Sequence, residues 1–462
     1  MAAIDTTSAL AVHDLRERVK GIVSAPGMPG WDAARQPWNL AFDQRPAAVV
    51  FAADAEDVAA VVRFARDSGL RVAPQGTGHN PGPLGDLSDS ILLRTSQMSG
   101  VEIDPDARIA RVQAGALWRD LMLPASEQGL SGLAGSSPDV GVVGYSLGGG
   151  TGYLGRKHGL ATNSVTAIEL VTADGERVRT DAEHDPDLFW ALRGGGGNFG
   201  VVTAMELSLY PLASVYAGAL MWPWEESERV FKRWLEWIDS VPDEITSMMR
   251  MIQFPPLDLV PEPMRGRNLA VFTAAHIGNA EEGAELLRPL RELRPEIDMF
   301  ADMPPAGLIQ VHGDPEEPVP ALSDTSLLDA LTPGAIDALM SVAGPGTDSP
   351  LAIVELRQLG GALKRAEPHH GALERFDAEF LTFAAGMPEG PELAEAIRRR
   401  AHEVVAALAP YGSGRNYLNF VEGPTDTRSF YPVGTHQRLR DIRAKVDPDG
   451  LFRANHEIPP AA

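Results

Sequence analysis

Apolar and polar positions follow two textures along the chain, and the change falls near residue 211. Before it, short apolar runs alternate with helical spacing. Residues 13–23 carry Leu15, Val19 and Ile22 at helical intervals, whereas 31–38 shows no period and is read as irregular. Residues 47–52 read as a buried strand. Asp54 then caps a helix bearing Val58, Val61, Val62 and Ala65, closed by Gly69. The apolar run Leu70 to Ala73 enters a turn, Gln75-Gly-Thr-Gly-His79. Alternating segments at 90–93 and 108–114, a helix at 117–127 and a glycine-dense tract from Gly132 to Gly152 follow. A hairpin at 165–180, a short helix at 187–192 and a strand at 201–210 complete this part.

Past 211, amphipathic helices at 225–239, 280–293 and 391–408 stand among strand-like runs at 247–254, 269–276, 353–359 and 376–384. Residues 417–420 read as one more strand and 434–446 as a closing helix. Strands and helices mixed without the regularity of parallel units predict an α+β fold with an antiparallel sheet here.

Composition narrows the classes. A chain of 462 residues exceeds one ordinary core, and 46 glycines with 37 prolines imply a loop-rich globular protein. A net charge of −23 with no basic patch argues against nucleic acid and anionic membranes as partners. There is no cysteine, which excludes disulfides, thiolate metal sites and thiol nucleophiles. No histidine pair has ligand spacing, so no metal is expected; His158, His276 and His312 are read as structural or surface side chains. The N-terminal residues lack a signal-peptide pattern and no 18-residue apolar run occurs, so the expectation is a cytoplasmic protein.

Candidate chemistry sits in the glycine loops. Glycines let a backbone approach a ligand closely, and successive N–H groups in such a loop bind anions, typically phosphate. Gln75, Gly76, Thr77, Gly78, His79 and Asn80 form one such loop. The tract containing Gly141, Gly144, Gly149 and Gly150 is too glycine-rich to be ordered unless it wraps a ligand. Two matches to G-x-G-x-x-G, at 150–155 and 195–200, lack the strand-before, helix-after context of a dinucleotide fingerprint and are rejected.

Five segments in order carry a family likeness: Gln75–His79, Ser137–Gly150, Leu192–Val202, Tyr417-Leu-Asn419 and Lys445–Phe452. Together they resemble the oxidases of the vanillyl-alcohol-oxidase type, with FAD-binding domains of PCMH type, and within them the berberine-bridge-enzyme-like group. The resemblance implies a two-part FAD-binding domain (1–210 with 411–462) and an inserted substrate domain (211–410) of antiparallel sheet plus helices. It implies that His79 is joined to the flavin's 8α methyl, and that Gln75–Asn80 cradle the pyrophosphate. Gly141, Gly144, Gly149 and Gly150 would line the cofactor, with Gly200 and Val202 at its other end. Many relatives attach FAD twice; Ser137 stands where the second, cysteine link would form, so attachment through His79 alone is implied. Val140 matches the position that gates oxygen, where valine resembles oxidases.

The chemistry so implied is hydride transfer from a small-molecule substrate to FAD and onward to O2, giving H2O2. A dehydrogenase or oxygenase of a natural-product pathway and a non-catalytic flavin-binding protein are the alternatives. Such chemistry needs a group to handle the substrate's O–H or N–H proton. Tyr417 is the first candidate, with Asn419 beside it on the same strand face. Glu355 is the second, as a base or anchor if its face points inward and as a partner of Arg357 if not. Tyr145, standing where relatives often have histidine, is placed near the ring.

Overall fold

The computed structural model describes residues 13–258 and 260–461. It is α+β and contains two sheet systems. In the first, strands Ile22–Ser24, Ala48–Phe51, Ser90–Arg94 and Arg71–Gln75 lie side by side in that order, the last three mutually parallel. Helix Ala55–Asp67 makes the crossover. It starts at Asp54, whose side chain accepts from the N–H groups of Glu56 and Asp57, and it buries Val58, Val61, Val62 and Ala65. The buried carboxylate of Asp57 accepts from the N–H groups of Lys20, Gly21 and Ala53, which ties the first strand to the helix N-terminus. The other face of this helix meets a five-stranded antiparallel sheet of Val101–Asp104, Ile109–Gln113, Val201–Ser208, Val165–Val171 and Arg177–Asp181.

The second system is an eight-stranded antiparallel sheet built from residues between 215 and 386. Helices Ser227–Ile238, Ala280–Arg291, Pro333–Ala343 and Pro391–Leu408 supply apolar residues to the core on one of its faces. Strand Ile353–Gln358 shows how the sheet is sided: Val354 and Leu356 enter that helical core, while Glu355 and Arg357, one residue out of phase, point to the opposite face.

The chain returns to the first system at its end. Val72 N–H donates to Leu451 O at 2.9 Å and Arg453 N–H to Val72 O at 2.8 Å, so the tail lies along the strand Arg71–Gln75. A fully buried pair, Arg443 and Asp447 at 3.1 Å, fixes this return; Asp447 also accepts from the N–H groups of Leu451 and Phe452.

Several expectations are corrected. Residues 13–23 are helical only to 18, and Ile22–Ser24 pairs as a strand because Val50 lies opposite Val23. Trp31–Arg35 is a short helix within the stretch read as irregular. Tyr417–Phe420 is a turn, not a strand, closed by Phe420 N–H to Tyr417 O at 3.0 Å. The glycine tract contains a helix, Val142–Leu147. Strands Val215–Pro223 and Leu322–Leu328 and helix Pro333–Ala343 have no counterpart in the sequence reading.

At the seam between the tail and the second sheet, Glu422 accepts from Ser323 N–H at 2.8 Å. Burial, with the charge of Asp324 adding to it, pushes its carboxyl up to about 7 from the ordinary 4.5. The protonated form is therefore favoured by folding. Its contribution is full below about pH 4.5 and is lost as the pH rises through 7. Glu422→Gln, neutral at every pH, is expected to raise the melting temperature at pH 8 by about 2 °C, roughly 1 kcal/mol, and to leave it unchanged at pH 4.5. Thermal melts at the two pH values check this.

Candidate active site

A cleft of about 340 Å³ is lined mainly by five segments distant in sequence, 74–80, 135–148, 196–202, 418–420 and 453–456, and by Arg357 from the second sheet. Each is pinned by backbone bonds. Trp118 N–H donates to Val140 O and Val142 N–H to Ala116 O, both at 3.0 Å, which lays Ser137–Val142 along the strand-to-helix turn. The N–H groups of Gly194 and Gly196 both donate to Leu147 O at 3.0 Å, and the hydroxyl of Tyr431 donates to Gly194 O at 2.8 Å. The side chain of Asn455 donates to Asn80 O, joining the tail to the first loop.

The loop Gly76–Asn80 faces this cleft with none of its backbone N–H groups donating to a described residue. Gly78 takes φ +83°, and a Cβ there would stand 2.8 Å from Pro37 Cβ. Arg94 donates to Gln75 Oε1, which leaves Gln75 Nε2 buried without a partner among the described residues; burial brings the Arg94 guanidinium down to about 10. Asn80 Oδ1 and His456 Nδ1, also on the cleft, are buried and unpartnered among the described residues. Unpaired donors beside apolar walls fit a large ligand with a diphosphate and ring edges, which is the chemistry of FAD.

His79 is stacked on Trp38 with ring centroids 4.0 Å apart, and its Nε2 faces Asp139, 3.3 Å from the backbone oxygen and 3.6 Å from Oδ1. Burial pushes the imidazole down from 6.5, and Asp139 opposes this only in part, so the ring is neutral. Asp139 itself is buried and accepts from Ser137 Oγ at 3.0 Å and Trp38 Nε1 at 2.5 Å.

Of the residues singled out from the sequence, Gln75, Gly76, Thr77, Gly78, His79, Asn80, Ser137, Val140, Gly141, Gly144, Tyr145, Gly200, Val202 and Asn419 all line the cleft. Four do not. Gly149 and Gly150 lie one layer behind, where Gly150 N–H donates to the hydroxyl of Tyr417 at 2.7 Å. Tyr417 is itself buried, and Asn419 Nδ2 also donates to its hydroxyl, at 2.9 Å, so a turn achieves the Tyr–Asn contact expected of a strand. Burial pushes its phenol well above 10. Glu355 is 0% exposed, and both of its oxygens are taken, Oε1 by Arg357 and Oε2 by His312 Nε2 at 2.6 Å. Burial opposes its charge, but Arg357 and His312 outweigh this and hold it well below 4.5. A saturated, weakly basic carboxylate away from the cleft is a poor general base; the partner role is the one its geometry gives.

Sequence reasoning passed over Arg357 as a site residue, together with Asn198, Arg453, Asn455 and His456, all on the cleft wall. Arg357 was legible only as the partner of Glu355. His312, set aside as structural, lies buried between Glu355 and Asp314, the latter 2.5 Å from Nδ1. Tyr145 is part of the cleft wall; its hydroxyl is buried without a partner among the described residues, and burial raises its phenol well above 10.

An FAD binding domain family matches residues 46–181, and a berberine and berberine-like family matches residues 416–459. (R)-6-hydroxynicotine oxidase of Paenarthrobacter nicotinovorans is 30% identical over 468 aligned residues, covering 96% of this chain and 97% of its own. Xylooligosaccharide oxidase of Thermothelomyces thermophilus is 32% identical over 51% of this chain and 49% of its own. The crystal structure of 6-hydroxy-D-nicotine oxidase from Arthrobacter nicotinovorans aligns at a TM-score of 0.84 and 27% identity, covering 96% of this chain and 98% of that one. Likeness of this extent, over a cleft built for FAD, means that the chain belongs to the FAD-linked oxidases of the vanillyl-alcohol-oxidase type, berberine-bridge-enzyme-like group, and is an FAD-dependent oxidoreductase.

Proposed function

We propose that the protein is a singly attached flavin oxidase: His79 carries FAD covalently, a small-molecule substrate gives up a hydride in the cleft, and O2 takes the electrons to give H2O2. In this reading residues 1–210 with 411–462 hold the cofactor and 211–410 form the roof. The observation that carries it is His79 itself, a neutral imidazole on the cleft beside a loop of unpaired N–H groups. Its Nε2 is turned to Asp139, which leaves Nδ1 as the nitrogen free to bond. When bound, FAD supplies the hydride acceptor and the site of reoxidation.

The remaining roles follow from what each side chain presents. The Gly76–Asn80 N–H groups and Gln75 Nε2 bind the diphosphate. Tyr145, a neutral phenol facing the cleft, holds the substrate's reacting O–H or N–H by a hydrogen bond. Tyr417 fixes the Gly148–Gly150 turn and Asn419 from behind: a Cβ at Gly148 would stand 1.7 Å from Asn419 Oδ1, so glycine is needed for that contact. Val140 keeps the space above the cleft wall small-sided, open to O2.

Acid precipitation tests the attachment. The wild-type pellet is expected to stay yellow, and His79→Ala is expected to release all its flavin to the supernatant; a yellow wild-type supernatant would sink the covalent reading. Val140→Leu is expected to slow air reoxidation by tenfold or more, an added barrier of about 1.4 kcal/mol, while anaerobic reduction by substrate keeps its rate. Stopped-flow traces of both half-reactions check this, and sluggish reoxidation of the wild type would make the protein a dehydrogenase instead.

A further inference from the structure

Behind the roof strand lies a buried charge cluster that the flavin chemistry does not use. Glu355 and Arg250 are register partners on adjacent strands, and Arg250 donates to His312 O at 2.8 Å. His312 bridges Asp314 and Glu355, and Ser136 Oγ donates to Asp314 at 2.9 Å. Burial works against the charges of Asp314 and Glu355, yet their hydrogen bonds and cationic neighbours keep both below the usual carboxylate range. Both ring nitrogens of His312 are thus engaged by carboxylates, and Arg250 and Arg357 flank the same Glu355. Arg250, Arg357 and His312 then face two carboxylates. Asp139 faces His79.

Among the described residues, one charged member of the cluster reaches the cleft. Arg357, 6% exposed, donates through Nε to Glu355 and rests over the Phe420 ring at 5.0 Å, while neither Nη has a hydrogen-bond partner among the described residues. It lines the cleft beside Tyr145 and Phe420. A guanidinium held at Nε and from one face presents its two remaining nitrogens as a preformed fork, which matches a carboxylate in two parallel hydrogen bonds.

We propose that the substrate of this enzyme carries a carboxylate, received by the Nη1 and Nη2 donors of Arg357. The inference rests on the reading of the cleft as the site where flavin and substrate meet. It separates this protein from an amine oxidase, because a substrate ammonium would be repelled by the same fork.

The test titrates the flavin absorbance of the holoenzyme with benzoate and with its neutral isostere benzamide at fixed ionic strength. Benzoate is expected to bind about tenfold tighter or more, the discrimination of a charge-assisted bidentate pair, and to protect against thermal unfolding. Arg357→Gln is expected to erase the preference and Arg357→Lys to keep part of it. Equal binding of the two probes to the wild type, or a preference that survives Arg357→Gln, overturns the proposal. So does a pair of variants that change sulfite affinity at the flavin yet leave the benzoate preference intact, since the charge would then serve the cofactor. Should Arg357→Gln fail to fold, the wild-type comparison with benzamide and benzylammonium decides alone. A wild type without flavin defeats the flavin reading, whereas a yellow protein indifferent to benzoate defeats only this inference.

Discussion

The loop Gly76–Asn80 holds a row of backbone donors without partners among the described residues, and the architecture is arranged around keeping them so. Buried N–H groups without partners are costly, and a chain left to itself would fold such a loop back onto its own carbonyls. Here that is prevented from both sides. The carbonyls of Thr77 and Gly78 are spent on the N–H groups of Trp38 and Asn39, both at 3.1 Å, and Gly78 adopts a left-handed turn that directs the next residues outward. Along the neighbouring edge, the Arg443–Asp447 pair folds the tail back so that Asn455 can cap the Asn80 carbonyl. Acceptors are removed and donors are kept. What remains is a surface complementary to an anion.

The second sheet answers a different demand. A strand that packs helices on one face and a polar cleft on the other must alternate, and Ile353–Gln358 does so with charges rather than neutral polar groups. Burying Glu355, Arg250, Arg357 and His312 together, with Asp314 half-buried beside them, incurs a desolvation penalty that an apolar layer would avoid, so the cluster is poor evidence for added stability. Its product is placement. Each member holds its neighbour at a fixed nitrogen or oxygen, and Arg357 is left with its two Nη nitrogens uncommitted among the described residues. A lone arginine on a cleft wall would have many rotamers; this one is fixed by an ion pair and an aromatic face.

How far the sequence revealed this depends on how local the cause was. The Asp54-capped helix and the Gln75–His79 turn are fixed by neighbours a few residues away, and both stand in the structure where the pattern put them. The turn at Tyr417–Phe420 misled because apolar and polar residues alternate there as in a strand, while the deciding contact, Gly150 N–H on the Tyr417 hydroxyl, comes from 267 residues earlier. Strand Val215–Pro223 went unnoticed because it is buried almost throughout, which removes the alternation that marks a half-exposed strand. Asn455 and His456 carry no local signal; they reach the cleft only because Phe452 pairs with Val72. Arg357 was visible as one half of a pair, but only the strand register and the His312 loop decide which half faces the ligand.

Ser137 and its neighbour tie the two halves of the cleft together. The family likeness puts Ser137 at the position of a second, cysteine link to the flavin. In this chain the serine hydroxyl instead donates to Asp139 Oδ1, the carboxylate that faces His79. One residue earlier, Ser136 donates to Asp314 and so to the cluster behind Arg357. Adjacent serines therefore serve both sides, one steadying the proposed flavin anchor and the other the proposed substrate anchor. The hydrogen bond from Ser137 steadies the carboxylate that faces His79, the proposed point of attachment. The carboxylate proposed for Arg357 must then approach along the plane of the guanidinium, the one direction in which the fork binds it, and the Ser136–Asp314–His312 chain holds that plane through Glu355.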